Sequence, residues 1–91
     1  SVLVAVDGYR YGGKPFDLRA KLDEVLRGLP SVRAALVAPW LDPAAPLPRG
    51  ARWSHEVLAA APDTPLEFER TPFEHPLYVM FSSGTTGKPK C

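Results

Sequence analysis

Nine consecutive residues near the end of the chain, Ser82-Ser83-Gly84-Thr85-Thr86-Gly87-Lys88-Pro89-Lys90, contain four hydroxyls, two glycines and two lysines. A polyphosphate needs closely packed donors where the backbone can approach it unobstructed, and this composition meets that need. Gly84 and Gly87 permit unusual backbone angles that turn amides toward an anion. The hydroxyls of Ser82, Ser83, Thr85 and Thr86 can each donate one further hydrogen bond. Lys88 and Lys90 add positive charge, and hydrogen bonds from charged donors are about twice as strong as neutral ones. Pro89 stiffens the exit. The expected role is to hold and orient a highly charged leaving group. A solvent-facing turn that binds nothing is the alternative for the stretch, as a solvated side chain is for Lys88.

Other chemistries fit less well. The nucleotide P-loop separates two glycines by four residues before Lys and Ser or Thr; here Gly84 and Gly87 enclose two residues, and Lys88 is followed by Pro89. Gly8, Gly12 and Gly13 do not match the dinucleotide fingerprint and are expected to turn the chain. His55 and His75 have no carboxylate or cysteine at ligand or triad spacing, so neither is expected to be catalytic, and His75 is read as the entry to a strand before Pro76. Cys91 has no supporting histidine. Asp7, Asp17 and Glu74 read as turn or cap residues, and Trp40 and Trp53 as packing residues. No catalytic residue and no metal ligand is expected within these 91 residues.

The elements that must position the loop are legible from periodicity. Val2-Leu3-Val4-Ala5-Val6 is rich in β-branched residues and bounded by Asp7-Gly8, which predicts a strand buried on both faces. Tyr9-Arg10-Tyr11-Gly12-Gly13-Lys14-Pro15 is predicted to be an irregular connection. Leu18, Leu22, Val25, Leu26 and Leu29 fall on one stripe of a helix, with Asp17 as its N-cap and Gly28 and Pro30 as its stop. Asp17 with Lys21, and Asp23 with Arg27, are ion-pair candidates at a spacing of four on the outer face, worth about 0.2 to 0.5 kcal/mol each.

A second buried strand is predicted over 32–38, ended by Pro39. Parallel neighbours need a long crossover, so 1–38 is expected to form a right-handed βαβ unit, and the fold class is α/β. Residues 39–65 read as a Pro-rich connector with a short helix from Ser54 to Ala61. Within 66–91, Leu66-Glu67-Phe68-Glu69 alternates like an edge strand, and Leu77-Tyr78-Val79-Met80-Phe81 reads as a β-prone strand running into the loop.

Composition bounds the rest. The chain is 45% hydrophobic and 23% charged, as in ordinary globular proteins, and is long enough for one small domain at most. A formal net charge of +1, with 11 basic and 10 acidic residues interspersed, provides no stripe for nucleic acid and no pull toward a membrane surface. The apolar runs fall far short of the roughly 20 residues that a spanning helix needs. One cysteine excludes an internal disulfide, and no secretory signal is visible, so a cytoplasmic location is the expectation.

The stretch YVMFSSGTTGKPK is similar to the strand and phosphate loop of the adenylate-forming enzymes, which include acyl-CoA synthetases, luciferases and peptide-synthetase adenylation domains. DGYRYGGKPFD and HPLYVMFSSGTTGKPKC resemble the acetoacetate:CoA ligase branch in particular, so the resemblance spans nearly the whole chain. Many superfamily members carry glycine where this chain has Cys91, a departure that suits the acetoacetate branch. The resemblance implies a fragment of a large N-terminal AMP-binding domain with an incomplete parallel-type sheet, and a protein using ATP, Mg2+ and CoA to convert a short-chain keto acid to its CoA thioester. Acetyl-CoA synthetase and amino-acid adenylation domains are the alternatives. On this reading Ser82 through Lys88 grip the β- and γ-phosphates, and Lys90 matches the lysine that ends the family loop. The expected partner is the remainder of the same polypeptide, and the 91 residues alone are expected to have no turnover, lacking adenine, acid and CoA contacts.

Overall fold

The computed structural model describes residues 1–82, 87 and 88. Five strands and two helices follow one another as β1 (Val2–Val6), β2 (Gly8–Tyr11), β3 (Lys14–Asp17), α1 (Arg19–Gly28), β4 (Ala34–Ala38), β5 (Ala51–Trp53) and α2 (Ser54–Ala60). β1, β4 and β5 form a parallel three-stranded sheet with β4 in the middle, and β2 pairs with β3 in a separate antiparallel hairpin. The small α/β architecture matches the fold class read from the sequence.

Strand pairing follows the apolar pattern. Val2 to Val6 of β1 register one-to-one with Ala34 to Ala38 of β4, and Ala35, Leu36 and Val37 then meet Ala51, Arg52 and Trp53 of β5. Side chains alternate across a strand, so Ala35 and Val37 share one face, and both are fully buried. Leu22 of α1, Val37 and Trp53 form the core, with Leu3, Ala5, Leu26, Leu47 and Ala51 packed against it. Of the predicted helical stripe Leu22 and Leu26 pack against the sheet, whereas Leu18 and Leu29 fall at the caps of α1 and Leu29 is exposed. The opposite face of β1 is open: Val2 is 62% and Val4 72% exposed, so the strand is buried on one face, not two.

Residues 9–15, predicted as irregular, instead form most of a hairpin. Tyr11 pairs with Lys14, leaving Gly12-Gly13 as a two-residue loop with φ of 56° and 74°. Positive φ at both central positions matches the right-handed twist of the flanking strands, and only glycine adopts it without steric cost. Tyr9 stands directly opposite Phe16, their rings stacked at 5.1 Å and 13°.

The helix ends also differ in detail. Leu18, not Asp17, occupies the N-cap of α1, and no side chain caps it. Asp17 Oδ1 nevertheless accepts from the Arg19 amide at 2.9 Å, and its carboxylate takes the Arg19 guanidinium, not Lys21. Lys21 turns to Glu24 at 2.9 Å, while the Asp23–Arg27 pair forms as predicted. α2 begins at Ser54 with Trp53 in the cap position.

Two strand expectations fail, and one strand besides the hairpin pair was missed. Residues 66–69 and 77–81 belong to no strand, and Leu66, Phe68, Leu77, Tyr78, Val79, Met80 and Phe81 are all exposed. A β-prone sequence becomes a strand only when a neighbour takes its hydrogen bonds and covers a face; among the described residues nothing does so for these. Conversely, β5 lies inside the predicted connector. Its three residues carry no β-branched side chain, and pairing with β4 forms it.

Candidate functional site

Of the predicted phosphate loop, the structure describes Ser82, Gly87 and Lys88, all exposed. Gly87 has φ of 101°, the backbone freedom the sequence assigns to it, and a Cβ there would meet nothing within 4 Å. Handedness of the chain, not crowding, makes that position suit glycine. Ser83, Gly84, Thr85, Thr86 and Lys90, with Pro89 and Cys91, lie outside the described residues. The segment leading in, 77–81, projects its side chains into solvent at 66 to 80% exposure. Among the described residues there is no enclosed pocket and no cluster of three or more His, Cys, Asp or Glu side chains that could hold a metal ion.

The most organised polar group lies elsewhere, at the C-terminal edge of the sheet. β1 and β4 run parallel and end together, Val6 opposite Ala38, so Asp7 emerges beside the residues that follow β4. Asp7 is 2% exposed. Its Oδ1 accepts from the Trp40 amide at 2.7 Å and the Leu41 amide at 3.0 Å, and its Oδ2 accepts from Leu41 at 3.0 Å and Asp42 at 2.8 Å. Burial pushes this carboxyl upward, but the amides of Asp42, Trp40 and Leu41 together outweigh it and hold the pKa below the ordinary 3.8. The main chain of Asp7 is equally engaged: its amide donates to Ala38 O at 3.3 Å, and its carbonyl accepts from the Leu18 amide at 2.8 Å. Asp7 is a structural anion, as the sequence reading of a turn residue held. The number of its partners was not legible, because they lie more than thirty positions away; the one local signal is an acid between an apolar strand and a glycine.

The remaining candidates are placed plainly. His55 and His75 are exposed, and His55 stacks loosely on Trp53 at 6.2 Å between ring centroids. Trp53 packs in the core at 7% exposure, as predicted, whereas Trp40 is 71% exposed and packs little. The backbone of Trp40 is what the fold uses. Its amide donates to Asp7 Oδ1 while its indole stands in solvent. No described helix is long and apolar enough to cross a membrane.

Comparison with known proteins adds what the geometry lacks. The acetoacetyl-CoA synthetase of Xenopus tropicalis is 37% identical over 98 residues, and that of Rhizobium meliloti 39% over 93, each match covering 99% of this chain. The solved structure of acetoacetyl-CoA synthetase from Streptomyces lividans superposes with a TM-score of 0.75 at 48% identity over 97% of the chain. The chain is homologous to one segment of the acetoacetyl-CoA synthetases. It spans 14 to 15% of the length of those curated acetoacetyl-CoA synthetases and 13% of the solved one. A malonamoyl-CoA synthetase of Penicillium aethiopicum is also similar, 38% identical over 89% of the chain. No protein-family model matches. The likeness to the solved acetoacetyl-CoA synthetase runs through the sheet and hairpin and supports the α/β fold assigned above.

Proposed function

We propose that this chain is part of an ATP-dependent acid:CoA ligase whose acid is acetoacetate. The observation that carries the reading is the end-to-end match to acetoacetyl-CoA synthetases, joined to a donor-rich tail suited to phosphate. In the reaction a carboxylate oxygen attacks the α-phosphorus of ATP and pyrophosphate leaves with the bond's electron pair. The CoA thiol then attacks the acyl carbon, loses its proton and displaces AMP to give the thioester. Residues 1–91 form part of the AMP-binding domain, with 66–91 contributing the phosphate contacts.

Within that scheme Ser82, Ser83, Thr85 and Thr86 donate to the β- and γ-phosphates, and Gly84 and Gly87 let the backbone come close. Lys88 offsets charge on the leaving group, and Lys90 meets it as it departs. These roles are electrostatic and positional; no serine here acts as nucleophile. Mg2+ accompanies the nucleotide and shares its charge. The described residues fit the phosphates better than the ion, since they supply donors and no carboxylate cluster. A cytoplasmic setting suits a chain with a single cysteine.

The test is ATP–pyrophosphate exchange by the full-length polypeptide over a panel of acids. Acetoacetate is expected to be preferred, and replacing Ser83, Thr85, Thr86 and Lys88 together by alanine is expected to lower the rate by about a hundredfold or more. Undiminished exchange in that variant would remove the loop from the mechanism. The malonamoyl-CoA synthetase similarity favours a second acid, a malonic half-amide, and the same panel decides between them.

A further inference from the structure

The β2–β3 hairpin and the turn that follows β4 are far apart in sequence, yet Gly8 of the one packs on Leu41 of the other. Gly8, the first residue of the hairpin, is buried against Leu41, and a Cβ placed on it would lie 2.2 Å from Leu41 Cδ1 and 2.3 Å from Phe16 O. Asp7 beside it fixes the amides of Trp40, Leu41 and Asp42 with its carboxylate and the hairpin's exit with its carbonyl, through Leu18. Beyond these contacts the hairpin is exposed along both strands, and β1, β4 and β5 pair without it.

We propose that Asp7 is a latch at the C-terminal edge of the sheet: its carboxylate secures the 39–42 turn and its carbonyl the hairpin's exit, and this arm is released from Asp7 in one step while the sheet stays closed. The basis is a difference in what secures each part. The sheet is held by its ladders and by the core of Leu22, Val37 and Trp53. The arm is held by hydrogen bonds to the carboxylate and the carbonyl of Asp7 and by the Gly8–Leu41 contact. A unit with few buried apolar contacts opens at lower free energy than the core it is attached to. This inference stands independently of the ligase reading.

Native-state hydrogen exchange on the full-length polypeptide tests it. In the unmodified protein the amides of Leu18, Trp40, Leu41 and Asp42 are expected to exchange through one shared opening, with the same denaturant dependence and faster than the amides of β4. Exchange of the four amides at unrelated rates, or only together with β4, would overturn the latch. In Asp7→Asn one acceptor oxygen becomes a donor facing an amide. Protection at 40–42 is expected to fall by at least about tenfold, as for loss of a hydrogen bond to a charged group, with β4 protection changed far less. An equal fall at β4 would make Asp7 a general stabiliser, and no fall at 40–42 would deny it any role. If Asp7→Asn does not fold, the shared opening in the unmodified protein decides.

Discussion

The residues up to about position 60 and those from 61 to 82 use similar amino acids to opposite ends. In the first region a valine, a leucine and a tryptophan close a core between helix and sheet, and Val37 is fully buried. In the second, Leu66, Phe68, Phe73, Leu77, Val79 and Phe81 are exposed, Phe73 completely. The difference is not hydrophobicity. β1 finds β4 across an intervening helix, whereas no described residue offers the tail a ladder. Burial is a property of partners, and apolar sequence supplies only half of each contact.

Substitutions sharpen the contrast. Trp53→Ala is expected to cost about 3 to 5 kcal/mol in urea unfolding, as large-to-small changes of buried aromatics do. Phe73→Ala, which also removes a large aromatic group, is expected to stay within about 0.5 kcal/mol. Equal effects would mean that the tail packs in solution and would break the comparison. Gly8→Ala is expected to destabilise by about 1 to 3 kcal/mol, because its Cβ would meet the Leu41 side chain, which can turn aside, and the backbone oxygen of Phe16, which gives way only if the hairpin moves.

Acid tests the first region through its buried anion. Asp7 has a lowered pKa in the folded chain, so its contribution to stability is complete above the ordinary 3.8 and is lost as pH falls through the folded value. The chain is therefore expected to lose stability progressively below about pH 4, and Asp7→Asn to flatten that part of the profile. Asp17 is the smallest case. Arg19 holds its carboxyl at about 2, first by the side-chain hydrogen bond and then by its amide, yet the pair stands in solvent. Arg19→Ala is expected to return the Asp17 titration, followed by NMR, toward 3.8 with little change in the unfolding midpoint.

Periodicity made the first region readable. The stripe from Leu22 to Leu26 and the β-branched run of β1 gave helix and strand with nearly correct limits, because both patterns are local. The hairpin was missed although Gly12-Gly13 between short paired runs is a hairpin signal; Pro15 and the polar residues around it masked the alternation. β5 and the partners of Asp7 were beyond reach, since each depends on residues brought together only by the sheet. For the proposed phosphate loop the reading rests on residue types, and the described Gly87 has a positive φ of 101°.

The two tryptophans sit on opposite sides of this division. Trp53, in β5, is buried in the core against α1 and β4, and Trp40 stands in solvent on the arm that Asp7 secures. Nature has thus supplied an optical pair: red-shifting emission would come from the inner indole as the domain melts, while quenching by a dissolved ion would report the outer one. With either fluorophore silenced by phenylalanine, the two parts can be watched one at a time without attaching a dye.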